Sequence, residues 1–191
     1  RRDAGAYVLY FGRLDWFQKG LDTLLQAFAE LVRRYPELKL KVAGRGKDGE
    51  RLANYARELG IAANVEMVGP VAPEERNRLL AEASLLMMPS RFEGFGMVAA
   101  EAMAAGVPVV GTAVDSLPEV VDPPHGGILV EPGDWRELAV AAAQLIEDPS
   151  RRAALGSSAR ASAARFRWDN VAEQHLRFLE TIRSETVGEA S

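Results

Sequence analysis

Short apolar runs and helical stripes take turns along this chain. Tyr7-Val-Leu-Tyr-Phe11, rich in β-branched and aromatic residues and closed by Gly12, reads as a buried strand. From Gly20 the apolar positions fall at Leu21, Leu24, Leu25, Phe28, Leu31, Val32 and Tyr35, a stripe of helical period that ends at Pro36. The succession recurs: strands are expected at residues 38–43, 65–68, 85–88, 107–110 and 127–130, and helices around 50–59, 73–83, 97–105 and 135–147. From Ser150 the pattern is helical, with a break near Phe166-Arg-Trp168 and a last helix carrying Val171, Phe178, Leu179 and Ile182 on its apolar side. Alternating strands and helices specify an α/β fold, a doubly wound parallel sheet of Rossmann-like type with helices on both faces. No repeat or linker interrupts it, so residues 1–191 are expected to form one domain with a helical tail over about 150–185.

Sheets of this kind collect ligands at the carboxyl ends of their strands, where the strand order reverses. The loops that matter are therefore residues 12–20, 44–49, 69–73, 89–96 and 111–118. Pro89-Ser-Arg-Phe-Glu-Gly-Phe-Gly96 opens directly onto the helix beginning at Met97, so the amides of a helix start face the ligand edge. Such amides favour a phosphate, and Gly94 and Gly96 let the backbone approach it closely. Glu93 and Glu101 bracket the turn and would repel that phosphate, which leaves hydroxyls as their natural partners. A carboxylate accepting from a vicinal diol suits a ribose at one acid and a hexose at the other, which points to a sugar nucleotide. Arg13 and Lys19, on the neighbouring loop, supply a planar fork and a point charge suited to a diphosphate.

Composition narrows the alternatives. With 48% hydrophobic and 26% charged residues, the chain has the balance of a globular protein. A net charge of −4 without a basic stripe argues against a nucleic-acid partner. The absence of cysteine removes disulfides, a thiolate nucleophile and Cys-containing zinc sites, and fits a cytoplasmic location. Residues 97–110 are the most apolar stretch, but Glu101 and Pro108 interrupt it, and it falls short of the roughly 20 residues of a bilayer span. The basic pair Arg1-Arg2 is followed by no apolar segment with a small-residue cleavage site, so no secretion signal is expected.

Gly44-Arg-Gly-Lys-Asp-Gly49 matches a dinucleotide fingerprint, yet it does not follow the first strand, and the next strand ends without the acid that would hold a ribose. A tight turn beside the ligand is the better reading. His125 and His175 have no triad-like neighbours and read as structural. Trp16 and Phe17 fit either a lip of the site or a hydrophobic staple, Arg91 either a ligand contact or a surface charge, and Trp168 packing for the tail.

These residues together resemble the retaining glycosyltransferases of family four, two-lobed enzymes of the GT-B fold. The resemblance rests on Gly12-Arg13-Leu with Lys19-Gly20, on Glu93-Gly-Phe-Gly-Met-Val-Ala-Ala-Glu101 as a Glu-x7-Glu motif, and on Glu101-Ala-Met-Ala-Ala-Gly-Val-Pro-Val-Val110, which continues from it. Pro118-Glu119 and Phe166-Arg-Trp168 extend it along the chain. It implies the donor-binding lobe of a hexosyltransferase that acts with retention and without a metal or other cofactor, the nucleoside-diphosphate sugar being its substrate. By the same resemblance Arg13 and Lys19 bind the diphosphate and Glu93 the transferred sugar, these three carrying the catalytic roles. Glu101 holds the ribose, residues Gly94, Phe95, Gly96, Met97 and Val98 lie along sugar and phosphates, Val71 meets the base, and Gly44 turns beside the donor. An N-terminal acceptor-binding domain, and any peripheral membrane association through it, would lie outside this chain. Alone, the chain is expected to transfer sugar barely or not at all. The competing expectation is a non-catalytic nucleotide-binding module. One departure is Asp115-Ser116-Leu117-Pro118-Glu119, where the family often shows Gly-Gly before x-Pro-Glu.

Overall fold

A computed structural model describes residues 7–188, with the side chains of 183–188 left aside; the Arg1-Arg2 pair lies outside the described residues. Six parallel strands form one sheet: β1 (Val8–Phe11), β2 (Leu40–Ala43), β3 (Val65–Gly69), β4 (Leu85–Met88), β5 (Val109–Thr112) and β6 (Gly127–Val130). Their spatial order is β3-β2-β1-β4-β5-β6. The helices are α1 (Leu21–Arg34), α2 (Gly49–Glu58), α3 (Pro73–Glu82), α4 (Met97–Ala104), α5 (Leu117–Val121), α6 (Trp135–Glu147), α7 (Pro149–Ala163) and α8 (Trp168–Gly188). This is the Rossmann-like α/β fold expected.

The period-two pattern of the strands divides the core into two. Val8, Tyr10, Leu40, Val42, Leu85 and Met87 point to the face covered by α1, α2 and α6, where Leu21, Leu24, Leu25 and Phe28 are fully buried. Leu9, Leu86, Met88 and Val109 point to the other face, covered by α3, α4, α5 and α7. Burying a side chain of this size contributes about 1.5–3 kcal/mol. α1 and α4 thus leave the sheet on opposite faces, although the strands before them are neighbours.

Three elements depart from expectation. β2 begins at Leu40 rather than Leu38, whose amide closes a turn onto the Tyr35 carbonyl at 3.0 Å. β5 begins at Val109 rather than Val107, because the chain first closes α4: Gly106 has φ 76°, and the Val107 amide donates to the Ala102 carbonyl at 2.9 Å. That Schellman-type ending takes up Val107 and Pro108. α5, inside a segment read as a loop, is one short turn whose Leu117, Val120 and Val121 are buried. Trp168 does not pack the tail; it is 85% exposed, and Phe178, Leu179 and Ile182 on the apolar side of α8 are exposed as well. None of the described helices is long and apolar enough to cross a membrane.

Gly44 is where three strand ends are tied together. Its amide donates to the Gly69 carbonyl at 2.8 Å, φ is +132°, and a Cβ there would lie 1.8 Å from the Gly12 carbonyl oxygen. Gly44→Ala is therefore expected to destabilise the fold by about 3 kcal/mol or more, read from the urea midpoint. A change below about 1 kcal/mol would show that the β1 and β2 ends can part without cost.

Candidate functional site

Because β1 and β4 are neighbours whose helices lie on opposite faces, the loops after them border a crevice at the carboxyl edge. The crevice is a cavity of about 340 Å³ lined by Tyr10, Phe11, Gly12, Arg13, Lys19, Met88, Ser90 and residues 93–98. A shallower hollow of about 470 Å³ adjoins it, with Gln18, Phe92 and Asp115 in its wall. Both share Arg13, Lys19, Glu93 and Gly94.

The two loops are joined through their main chains. The Gln18 carbonyl accepts from the amides of Arg91 (2.8 Å) and Phe92 (3.2 Å). Gly20, at φ 60°, lies so close to Pro89 that a Cβ would fall 2.0 Å from its carbonyl oxygen. The Gly44–Gly49 turn braces the first loop from behind: Leu14 N–H donates to the Arg45 carbonyl at 2.9 Å, and Trp16 N–H to Asp48 Oδ2 at 2.8 Å. A Cβ on Gly46 would meet the Leu14 carbonyl oxygen at 2.1 Å, so chain-to-chain packing accounts for this glycine spacing.

Arg13, Lys19, Glu93, Gly94, Phe95, Gly96, Met97 and Val98 share one cavity, whereas Gly44, Val71 and Glu101 lie outside its lining. α4 follows Gly96, which lies in the left-handed region (φ 83°, ψ 41°); no side chain caps the helix, and the Ala99 and Ala100 amides turn back to the Gly96 carbonyl, which leaves those of Met97 and Val98 at the cavity. Val71 packs with Phe11 and Val98 against the second core.

Both acids have cationic neighbours that the sequence pattern did not reveal. Lys19 Nζ donates to Glu93 Oε2 at 2.6 Å, with only 16% and 12% of the two side chains exposed, and the Ser90 hydroxyl donates to the same oxygen at 3.2 Å. Arg76, on α3, meets Glu101 Oε1 at 3.0 Å, while Glu101 Oε2 and Arg76 Nε are buried without a hydrogen-bond partner. Arg13 is held by the Gln18 amide oxygen at 2.6 Å.

Three further residues shape the site. The buried Tyr10 hydroxyl donates to the Arg13 carbonyl at 2.8 Å; burial, then the charges of Glu93 and Asp15, raises its pKa and keeps it a neutral donor. Ser90 is 1% exposed, and its carbonyl accepts from the buried Thr112 hydroxyl. Asp115 has φ 45°, and its Oδ2 accepts from Glu93 N–H at 2.7 Å.

Trp16 packs edge-on against Tyr55 at 5.4 Å and under Arg51, away from the cavity. Phe17 and Phe92 form an exposed pair with ring centroids 6.2 Å apart. Phe95 meets the Phe166 ring edge-on at 5.6 Å, which ties the loop to the turn between α7 and α8. Arg91 makes two 2.9 Å bonds to the Asp22 carboxylate and one of 3.1 Å to the Phe17 carbonyl. It clasps the loops from outside.

Comparisons with known proteins identify the family and the fold. Residues 1–162 match the family described as Glycosyl transferases group 1. The D-inositol 3-phosphate glycosyltransferase of Corynebacterium urealyticum is 38% identical over 180 residues, which are 91% of this chain and 42% of that protein. The chain thus spans about two fifths of that relative's length. Among solved structures, sucrose-phosphate synthase from Thermosynechococcus elongatus superposes with a TM-score of 0.82 at 30% identity, over 97% of this chain and 47% of that one. Anabaena HepE in complex with UDP and glucose gives 0.79 at 31% identity, over 95% and 49%.

The Arg91 clasp carries a pH signature. Burial pushes the Asp22 carboxyl upward, but hydrogen bonds from Arg91 and from the amides of Thr23 and Asp22 outweigh it and hold the group below its ordinary 3.8. Stability from a depressed carboxyl is present above the unfolded pKa and is lost as pH falls through the folded one. Asp22→Asn is expected to cost about 1–2 kcal/mol at pH 7. In urea titrations that gap should narrow below pH 3.8; an equal gap at pH 7 and pH 3 would remove the ion pair as its source.

Proposed function

The chain belongs to the group 1 glycosyl transferases, and on that premise we propose that it binds a nucleoside-diphosphate sugar for retaining, metal-independent glycosyl transfer. The observation that carries this reading is the single cavity that joins Arg13, Lys19 and Glu93 to the uncapped start of α4. Two cations and a helix start form a site for a diphosphate leaving group. Transfer builds charge on that diphosphate as the glycosidic bond breaks, and positioned donors stabilise it without reorganising. The guanidinium and ammonium supply the positive charge for which other transferases use a metal ion.

Glu93 reaches sugar hydroxyls from the wall shared by the two hollows. Glu101, paired with Arg76 at 3.0 Å, takes the ribose by its place as the second acid of the Glu-x7-Glu motif. The base lies towards Gly69 and Val71, where main-chain contacts leave its identity open to many side chains. In HepE, 31% identical, UDP and glucose are bound together, which supports a nucleotide sugar here. The acceptor side of the reaction belongs to a second domain, in keeping with relatives more than twice as long. By itself the chain binds donor and transfers little sugar.

Titration calorimetry against UDP, GDP and ADP, each with and without its sugar, tests the reading. Lys19→Ala and Glu101→Ala are expected to weaken nucleotide binding by about 1.5–3 kcal/mol each. Glu93→Gln releases Lys19 from its carboxylate, so it should keep or raise affinity for the bare diphosphate while lowering the increment from the sugar. Unchanged affinity in both alanine variants would remove the site assignment.

A further inference from the structure

We propose that Asp115 is a positioning residue for Glu93: its carboxylate fixes the Glu93 amide and thereby aims the Glu93 side chain at the sugar. The inference rests on the donor-site reading above and extends it to a residue outside the motifs that carry that reading.

Asp115 adopts φ 45°, a left-handed conformation that glycine takes without a steric penalty and an L side chain does not. Such a backbone persists where surrounding contacts over-determine it. Here the contact is specific: Asp115 Oδ2 accepts from Glu93 N–H at 2.7 Å, a charge-assisted bond between loops 22 positions apart. The next residue grips the other main-chain group of Glu93, its Ser116 hydroxyl donating to the Glu93 carbonyl at 3.4 Å.

These two bonds belong to a longer seam. At one end the buried Thr112 hydroxyl donates to the Ser90 carbonyl. At the other, Leu117 lies under Gly96, where a Cβ would fall 2.7 Å from Leu117 Cδ2. The segment after β5 therefore moulds the whole turn from residue 90 to residue 96.

Within that turn the Glu93 carboxylate is aligned at its tip by Lys19 and Ser90 and at its root by Asp115. A ligand phosphate that draws on the Lys19 ammonium weakens the hold at the tip. The root contact then governs where the carboxylate points.

Asp115→Gly and Asp115→Asn separate the roles. Glycine relieves the backbone conformation and removes the acceptor; asparagine keeps a side-chain oxygen and tolerates φ above zero. In the chain without ligand, amide hydrogen exchange at Glu93 should be about tenfold faster in Asp115→Gly and within about twofold of wild type in Asp115→Asn. The melting temperature of Asp115→Gly should be unchanged or raised. With UDP and UDP-glucose, GDP and GDP-mannose, and ADP and ADP-glucose as probes, the pair that binds wild type best is used for the variants. Asp115→Gly should leave the bare diphosphate affinity within about twofold and cut the increment from the sugar about tenfold, and Asp115→Asn should restore most of it.

Equal Glu93 exchange in all three proteins overturns the proposal. So does a sugar increment that survives in Asp115→Gly, or one lost equally in both variants, since the latter places Asp115 on the sugar itself. A wild-type chain for which no sugar adds affinity to any diphosphate sinks the donor reading, while the exchange data still decide whether Asp115 positions Glu93.

Discussion

Everything at the carboxyl edge follows from one constraint, the reversal of strand order between β1 and β4. Neighbouring strands whose helices depart on opposite faces cannot close the edge above them, and a crevice is left. The chain secures its floor with main-chain bonds from Gln18 to Arg91 and Phe92, and with a glycine pressed against Pro89. Those contacts hold Arg13 and Lys19 on the same wall as the turn from Glu93 to Val98.

Electrostatics then works in pairs. A carboxylate near a helix start is unfavourable to an anion bound there, yet both acids of the Glu-x7-Glu motif occupy this region. Each is offset by a cation from a different element, Glu93 by Lys19 and Glu101 by Arg76. At contact distance each cation offsets the field of its acid, most fully in the little-exposed pair of Lys19 and Glu93. The pairing of Lys19 with Glu93 also couples two roles that look independent in the sequence: a change at either residue alters what the other can offer a ligand.

Most of the fold was legible because apolar period and loop glycines agree along the chain. The stripe from Leu21 to Tyr35 and the runs at residues 7–11 and 85–88 become α1, β1 and β4 with shifts of a residue or so. The miss at residues 107–110 came from reading β propensity without the helix ending that Gly106 imposes. α5 was hidden by its brevity and by Pro118. Trp168 looked like core because aromatic residues usually bury, and period alone does not reveal which helical face lacks a neighbour. At the site, loop position and residue type marked Arg13, Lys19 and Glu93. Tyr10, Gln18, Ser90 and Arg76 carried no signal of residue type, and Asp115 showed only as a departure from Gly-Gly: the roles of Arg76 and Asp115 depend on contacts between distant segments, and those of the others on how their loops turn back.

The joint between the two loops uses carbonyl and amide groups, which every residue but proline supplies alike. Mutation at Gly94 in the crevice, or at Phe92 in the hollow beside it, can therefore change what lines them while the main-chain joint beneath stays in register.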